Sequence, residues 1–189
     1  MSDKVSEASE TIELGGENKR VALLIAALAL ALALTEVAGD DAKTEAQMRN
    51  VESANLWAFF QARTIRQTVL GAEADRAVVD AAGMADPAAR AALEQQVQRW
   101  RGTMARWESE PETREGRREL MARAKEVEAD RDRAMKEDGR YDAGAALLQV
   151  GIVLASAGII TGTIALSWVA GALGLVGAGL SASTFLGWL

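Results

Sequence analysis

The chain has 189 residues, no cysteine and no histidine, and a formal net charge of −6. Those absences remove disulfide and thiolate-metal frameworks, the commonest metal ligand, and the side chain best suited to general-base work near neutral pH. The acidic balance argues against nucleic acid as the main partner, because phosphate binding needs clustered cations.

The charge is laid out unevenly. Residues 1–20 carry three cations and five acids, residues 36–142 hold the other 18 cations and 22 acids, and residues 143–189 hold none. Residues 1–18, acidic, polar and containing Gly15-Gly16, read as a disordered tail. After Lys19-Arg20 come fourteen uninterrupted apolar residues, Val21–Leu34. Such a stretch has the outline of a secretory signal, of a short membrane anchor or of a buried core helix. Its eight Val, Leu and Ile residues favour insertion by a few kcal/mol in sum. Extended to Ala38, the segment reaches about 27 Å at helical rise, enough for a thin bilayer. Ala22, Ala26, Ala29 and Ala33 form a small-residue stripe suited to helix packing. The reading is a retained first span over 19–38 in preference to a cleaved signal, which seldom has some twenty residues ahead of it.

From Glu36 to Asp142 the pattern is helical almost throughout. Met48, Val51, Asn55, Ala58, Ala62, Ile65 and Val69 fall at alternating steps of three and four and draw one seam along a helix. A lone Asn in such a seam fixes register more than it adds stability. Asp86-Pro87 is a helix start, with Asp as N-cap and Pro at the first helical position. Beyond it Ala89, Leu93, Val97, Trp100, Met104 and Trp107 line a second stripe. Pro111 separates this helix from a third, expected from about Thr113 to Gly139. The third carries Glu119/Arg123 and Asp132/Lys136 at i,i+4 spacing and a thin stripe of Leu120, Ala124, Val127 and Ala134. The region 39–140 thus reads as a helical bundle or coiled coil, its third helix running on into the apolar segment that follows.

The 47 charge-free residues 143–189 exceed the ~20 needed for one crossing and suffice for two. Spans are expected over 141–162 and 166–189, with the turn near Thr161-Gly162-Thr163. Tyr141, Trp168 and Trp188 read as interfacial aromatics, Trp168 and Trp188 being separated by about 30 Å of helix. This segment holds 9 of the 17 glycines. Gly144, Gly151 and Gly158 recur every seven residues, and Ala170, Gly174, Ala178 and Ala182 every four. Small faces let helix backbones approach closely in lipid, so these spans are expected to pack on one another and on other copies.

Several catalytic-looking groupings have plainer readings. Gly171-x-x-Gly174-x-x-Gly177-x-Gly179 lacks the Lys-Ser/Thr ending and preceding strand of a phosphate loop, and reads as helix packing. Arg99-Trp100-Arg101 and Arg106-Trp107 place Trp on an apolar stripe with solvated Arg neighbours. The acidic run Glu126–Asp132 scatters its carboxylates around a helix, with Arg131 interposed. Glu36 and Gln149 are the polar side chains that could lie within or at the end of a span, and Glu36 is read as an interfacial acid.

One resemblance adds to this. Asn18-Lys19-Arg20-Val21 leading into the Ala/Leu span and closed by Glu36, the block Leu56-Trp57-Ala58-Phe59-Phe60-Gln61-Ala62-Arg63-Thr64-Ile65-Arg66-Gln67-Thr68, and Tyr141-Asp142 followed by Ala146-Leu147-Leu148-Gln149-Val150 occur in that order. In this the chain resembles a bacterial membrane-protein family catalogued as domain of unknown function 4337. The resemblance implies architecture and no activity.

The expectation is an all-α membrane protein with three transmembrane helices and a helical-bundle or coiled-coil extramembrane domain between the first and second spans. It is expected in the bacterial inner membrane, with lipid and further copies or a larger membrane complex as partners. Lys19 and Arg20 lean toward a cytoplasmic N-terminus and a periplasmic 39–140. A non-enzymatic assembly or scaffold role leads; the alternative is a small oligomeric channel lined by glycine-rich helices. No cofactor, metal or small-molecule substrate is expected.

Overall fold

The computed structural model describes residues 19–188; the expected disordered tail, 1–18, lies outside the described residues. Four helices follow one another with no strand among the described residues: α1 (Ser2–Gly83, described from Lys19), α2 (Pro87–Glu108), α3 (Arg117–Thr161) and α4 (Ile164–Phe185). The all-α expectation holds. Three of them, α1, α3 and α4, contain stretches long and apolar enough to cross a membrane. Helices α1 and α3 each join a charged half to an apolar half without a break, as the uninterrupted helical pattern through Glu36 and through Tyr141 requires. The chain divides into two compact units: Gln47–Asp132, and the described parts of Met1–Ala46 with Arg133–Leu189.

In the unit Gln47–Asp132, α1 is one arm of an antiparallel helix pair whose other arm is α2 and then the start of α3. Helix α2 begins as its sequence dictates: Asp86 accepts a hydrogen bond from the Ala88 amide at 2.9 Å, and Pro87 fills the first helical position. Its apolar stripe packs as expected. Val97 is buried against Ala74 and Ala77, with Leu93, Trp100 and Met104 around them. Further along, Leu56 is buried with Leu120, Ala124 and Val127, and Trp57 and Phe60 close the cluster. Trp57 donates from Nε1 to Glu128 at 2.9 Å and meets Phe60 edge-on, ring centroids 5.5 Å apart. The guanidinium of Arg117 sits 5.7 Å from the centre of the Phe60 ring.

The expected seam of α1 does not serve this pairing. Met48, Val51, Asn55, Ala58, Ala62, Ile65 and Val69 are all exposed. The buried positions are Ser53, Leu56, Ala74, Ala77 and Ala81, with Phe60, Arg63, Gln67 and Leu70 half-buried between them. This second row has the same three-four spacing but is displaced by two residues, about 200° around the helix. It was masked by its small and polar members, which look weak in a hydrophobicity pattern and are needed where backbones approach closely.

Helix α3 starts at Arg117, four residues later than expected. Residues 111–114 form a turn, and Arg114 takes a left-handed backbone (φ 58°). Gly116 leaves room for the chain to fold back on itself: a Cβ there would lie 2.8 Å from the Ser109 Cα. Glu119 and Asp132 do not serve their expected i,i+4 pairs. Glu119 accepts from the Ser109 hydroxyl (2.6 Å) and the Glu110 amide (3.2 Å), and Asp132 pairs with Arg131 (2.7 Å).

Glu108 ties this corner together. It accepts from Arg118 and pairs with Arg117, both at 3.0 Å, and takes a longer bond from Gln67 at 3.3 Å. The Arg118 hydrogen bond holds its carboxyl below the usual carboxylate range, against a partial desolvation that pushes it up. Glu119 is lowered in the same sense, chiefly by the Ser109 hydroxyl. A lowered folded-state value means stability that is present above the ordinary carboxylate range and lost as pH falls through the folded value. Glu108→Gln is therefore expected to cost roughly 1 kcal/mol at neutral pH, allowing for solvent screening. It should also make the acid limb of a melting-temperature profile shallower; an acid limb as steep as that of the parent chain would remove Glu108 from the account.

Candidate functional site

The feature that sequence reasoning singled out is a small-residue helix seam, and it lies in the apolar unit. Its geometry starts at the turn between α3 and α4, placed where Thr161-Gly162-Thr163 is expected. Gly162 adopts φ 65°, and the Thr163 amide bonds back to the Gly158 carbonyl at 3.2 Å. That is a Schellman stop, with Gly at the position that must be left-handed. The same device ends α4: Gly187 has φ 66°, and the amides of Gly187 and Trp188 bond to Thr184 and Ser183 carbonyls, both at 3.0 Å. A turn this short forces α3 and α4 to lie antiparallel and adjacent.

What they bury is mostly glycine and alanine. On α3, Gly144, Leu148, Gly151, Ala155 and Gly158 are buried, repeating at three-four steps; on α4, Ala170, Gly174, Gly177, Ser181 and Thr184 do the same. The backbones nearly touch. A Cβ on Gly177 would sit 2.7 Å from the Gly144 carbonyl oxygen, and one on Gly151 would sit 3.1 Å from the Ala170 carbonyl oxygen. Leu28 of α1 fills the gap from a third side: its Cδ2 lies where a Cβ on Gly174 would go, and its Cδ1 lies 3.4 Å from where a Cβ on Gly151 would be. With Leu28 and Leu148 among the few large buried side chains, cohesion here comes from close backbone contact and not from bulky packing.

Polar groups are threaded through this seam. Thr35 Oγ1 donates to Ser181 Oγ at 3.1 Å, and Ser181 donates to the Gly177 carbonyl at 3.1 Å. Both hydroxyls are buried, and the chain of bonds satisfies them. Glu36 and Gln149 are brought together: Gln149 Nε2 donates to Glu36 Oε1 at 3.4 Å, a long bond at an exposed site. Beside it a cleft of about 240 Å³ is lined in part by Glu36, Asp40, Asp138, Asp142 and Lys43. Among the described residues no group of three or more acids is placed to hold a metal ion.

The predicted packing residues divide into two sets. Gly144, Gly151, Gly158 and Gly174 are buried against neighbouring helices of the same chain, and Ala178 is half-buried beside them. Ala22, Ala26, Ala29 and Ala33 are all exposed, because α1 turns its Leu28/Thr35/Gly39/Ala42 face inward instead. Tyr141, expected as an interfacial marker, is buried over Gly39, whereas Trp168 and Trp188 stand out from the surface as expected. Sequence reasoning missed Thr35, Gly39 and Leu28. The available signal was their recurrence: Leu28, Thr35 and Ala42 stand seven apart and are all buried.

A family model described as a domain of unknown function (DUF4337) matches residues 17–187. No curated protein and no solved structure matches the chain.

Proposed function

The chain belongs to the DUF4337 family, and on that premise we propose that it is a non-enzymatic integral membrane protein of the bacterial cell membrane that assembles with further copies as a scaffold. In this reading α1, α3 and α4 cross the bilayer through their apolar halves, and the unit Gln47–Asp132 stands outside it. The N-terminus faces the cytoplasm, which puts Gln47–Asp132 on the periplasmic side.

One observation supports assembly above the others. The charged unit keeps Met48, Val51, Ile65 and Val69 more than half exposed, in the part of the chain that this reading places outside the bilayer. A row of large apolar side chains left open outside the bilayer marks an association surface. Within the bilayer, the outward stripe Ala22/Ala26/Ala29/Ala33 is the small-residue face left open for helix contacts. The channel alternative takes its pore lining from the glycine rows. With Gly144, Gly151 and Gly174 facing helices of the same chain, no observation favours it.

Two measurements test the reading. The protein is expected to stay in the membrane pellet after alkaline carbonate extraction; release into the supernatant would exclude integral insertion. Purified oligomer in planar bilayers is expected to be electrically silent, and reproducible single-channel steps would replace the scaffold with a channel.

A further inference from the structure

We propose that the outward face of α1 between Met48 and Val69 is where a second copy of this chain docks, parallel and in register, as a two-stranded coiled coil. The inference rests on the self-assembling reading above and specifies the surface.

Four observations bear on it. First, the spacing is that of a coiled-coil seam. Met48, Asn55, Ala62 and Val69 stand seven apart, and Val51, Ala58 and Ile65 stand three residues after the first three of them. These are the a and d positions of three heptads, about 32 Å of helix. Second, the seam is free. Met48, Val51, Ile65 and Val69 are 58–64% exposed, and α1 already holds α2 and α3 with the opposite side of the helix.

Third, the exposed apolar surface is one-sided. Among the described residues of this unit, every exposed large hydrophobe except Met84 lies on α1. None lies on α2 or on the opening turns of α3, so the pair has one apolar edge and one solvated edge. Fourth, the face is complementary to itself. Asn55 occupies an a position, where an amide can pair with the amide of an identical chain and penalises every other register. In a parallel pair the flanks bring Gln47 to Glu52 of the second copy and Gln61 to Arg66 of the second copy, with no like charges meeting. Ala54 meets Phe59 of the second copy, and Phe59 is itself a further exposed apolar group (65%). Asp40-Asp41 bounds the seam on its N-terminal side, since a carboxylate at the next a position, seven residues before Met48, would face its own copy. Insertion in a bilayer gives every copy the same direction, which favours the parallel arrangement over the antiparallel one.

The chain has no cysteine, so a single introduced thiol reports its own surroundings. Full-length Asn55→Cys and Val69→Cys, reconstituted in liposomes, should each form a disulfide-linked dimer under mild oxidation, because paired a positions fall within disulfide reach. The rate should exceed that of Gln98→Cys, on the exposed side of α2, by at least roughly tenfold, since a held pair has a high effective concentration. Ile65→Asp, a surface change that leaves helicity by circular dichroism intact, should weaken association by at least about tenfold, because it puts paired carboxylates in a desolvated seam.

If the protein is oligomeric in liposomes but these thiols cross-link no faster than the α2 control, the docking surface is wrong while self-assembly stands. If Met48→Cys links to Val69→Cys in a mixture and Val69→Cys does not link to itself, the copies are antiparallel and the proposal fails. A protein that is monomeric in liposomes overturns both the surface and the assembly reading.

Discussion

Gly177→Leu is expected to separate α3 from α4, with a loss of at least roughly 1–3 kcal/mol, the range for overpacking a tight site. The Cβ of any side chain at this position arrives 2.7 Å from the Gly144 carbonyl oxygen and 3.1 Å from the Leu147 Cβ. The first of these is backbone and cannot rotate away. The only relief is to move the two helices apart, which forfeits the dispersion contacts along the whole seam and pulls Ser181 away from Thr35. Thermal or SDS-induced loss of helicity in detergent micelles checks this. Gly179→Leu is the matched control: it sits two residues on, with open space around its Cβ, and should be near neutral. Equal losses at the two positions would mean that added side-chain bulk anywhere on α4, and not close approach to Gly144, accounts for the effect, since helix propensity alone favours Leu over Gly.

The second large effect belongs to the charged unit. Leu56→Ala should cost about 2–5 kcal/mol, the range for truncating a buried leucine. Leu56 is buried among Leu120, Ala124 and Val127 and lies under Trp57 and Phe60, a cluster with few members to collapse into the space. The unit is only two helices thick, so there is no second layer to compensate. Denaturant titration followed by Trp fluorescence reads the change, as Trp57 borders the cavity. A companion Val51→Ala, on the exposed face of the same helix, should leave the stability of a monomeric sample unchanged within about 0.5 kcal/mol.

The two variants also show what a sequence can and cannot disclose. Helix existence was legible wherever local chemistry decides it. Asp86-Pro87 starts α2, Thr161-Gly162-Thr163 turns α3 into α4, and the charge-free stretch from residue 143 onward announces itself by composition. The α2 stripe was legible because its members are large. The glycine row of α3 was legible because its repeat is regular. On α4 the expected row holds at Ala170 and Gly174, but the buried face then runs through Gly177, Ser181 and Thr184 and leaves Ala182 exposed. A helix face follows alternating steps of three and four and not a strict four.

On α1 the pattern was ambiguous for a physical reason. It carries two rows at the same spacing, one through Leu56, Ala74, Ala77 and Ala81 and one through Met48, Val51, Ile65 and Val69. The second has the higher hydrophobicity, so periodicity selects it, yet it is the first that the chain buries in itself. Hydrophobic spacing says that a helix face will be covered; it does not say whether the cover comes from the same chain. Tyr141 was misread for a related reason. An aromatic at the edge of an apolar segment suits an interface, but opposite Gly39 it finds a flat backbone to pack on and goes inside. The Thr35–Ser181 bond joins residues 146 apart in sequence and leaves no local trace.

Taken together, the glycine seam holds one copy together and leaves α1 with an apolar edge that a single copy cannot cover. The most direct test of that claim is a count of copies in lipid. Full-length chain carrying one fluorophore, reconstituted at high dilution in liposomes, should bleach predominantly in two or more steps, and Ile65→Asp should move the distribution toward one. Single-step bleaching of the parent chain across the accessible range of protein-to-lipid ratios would contradict the account.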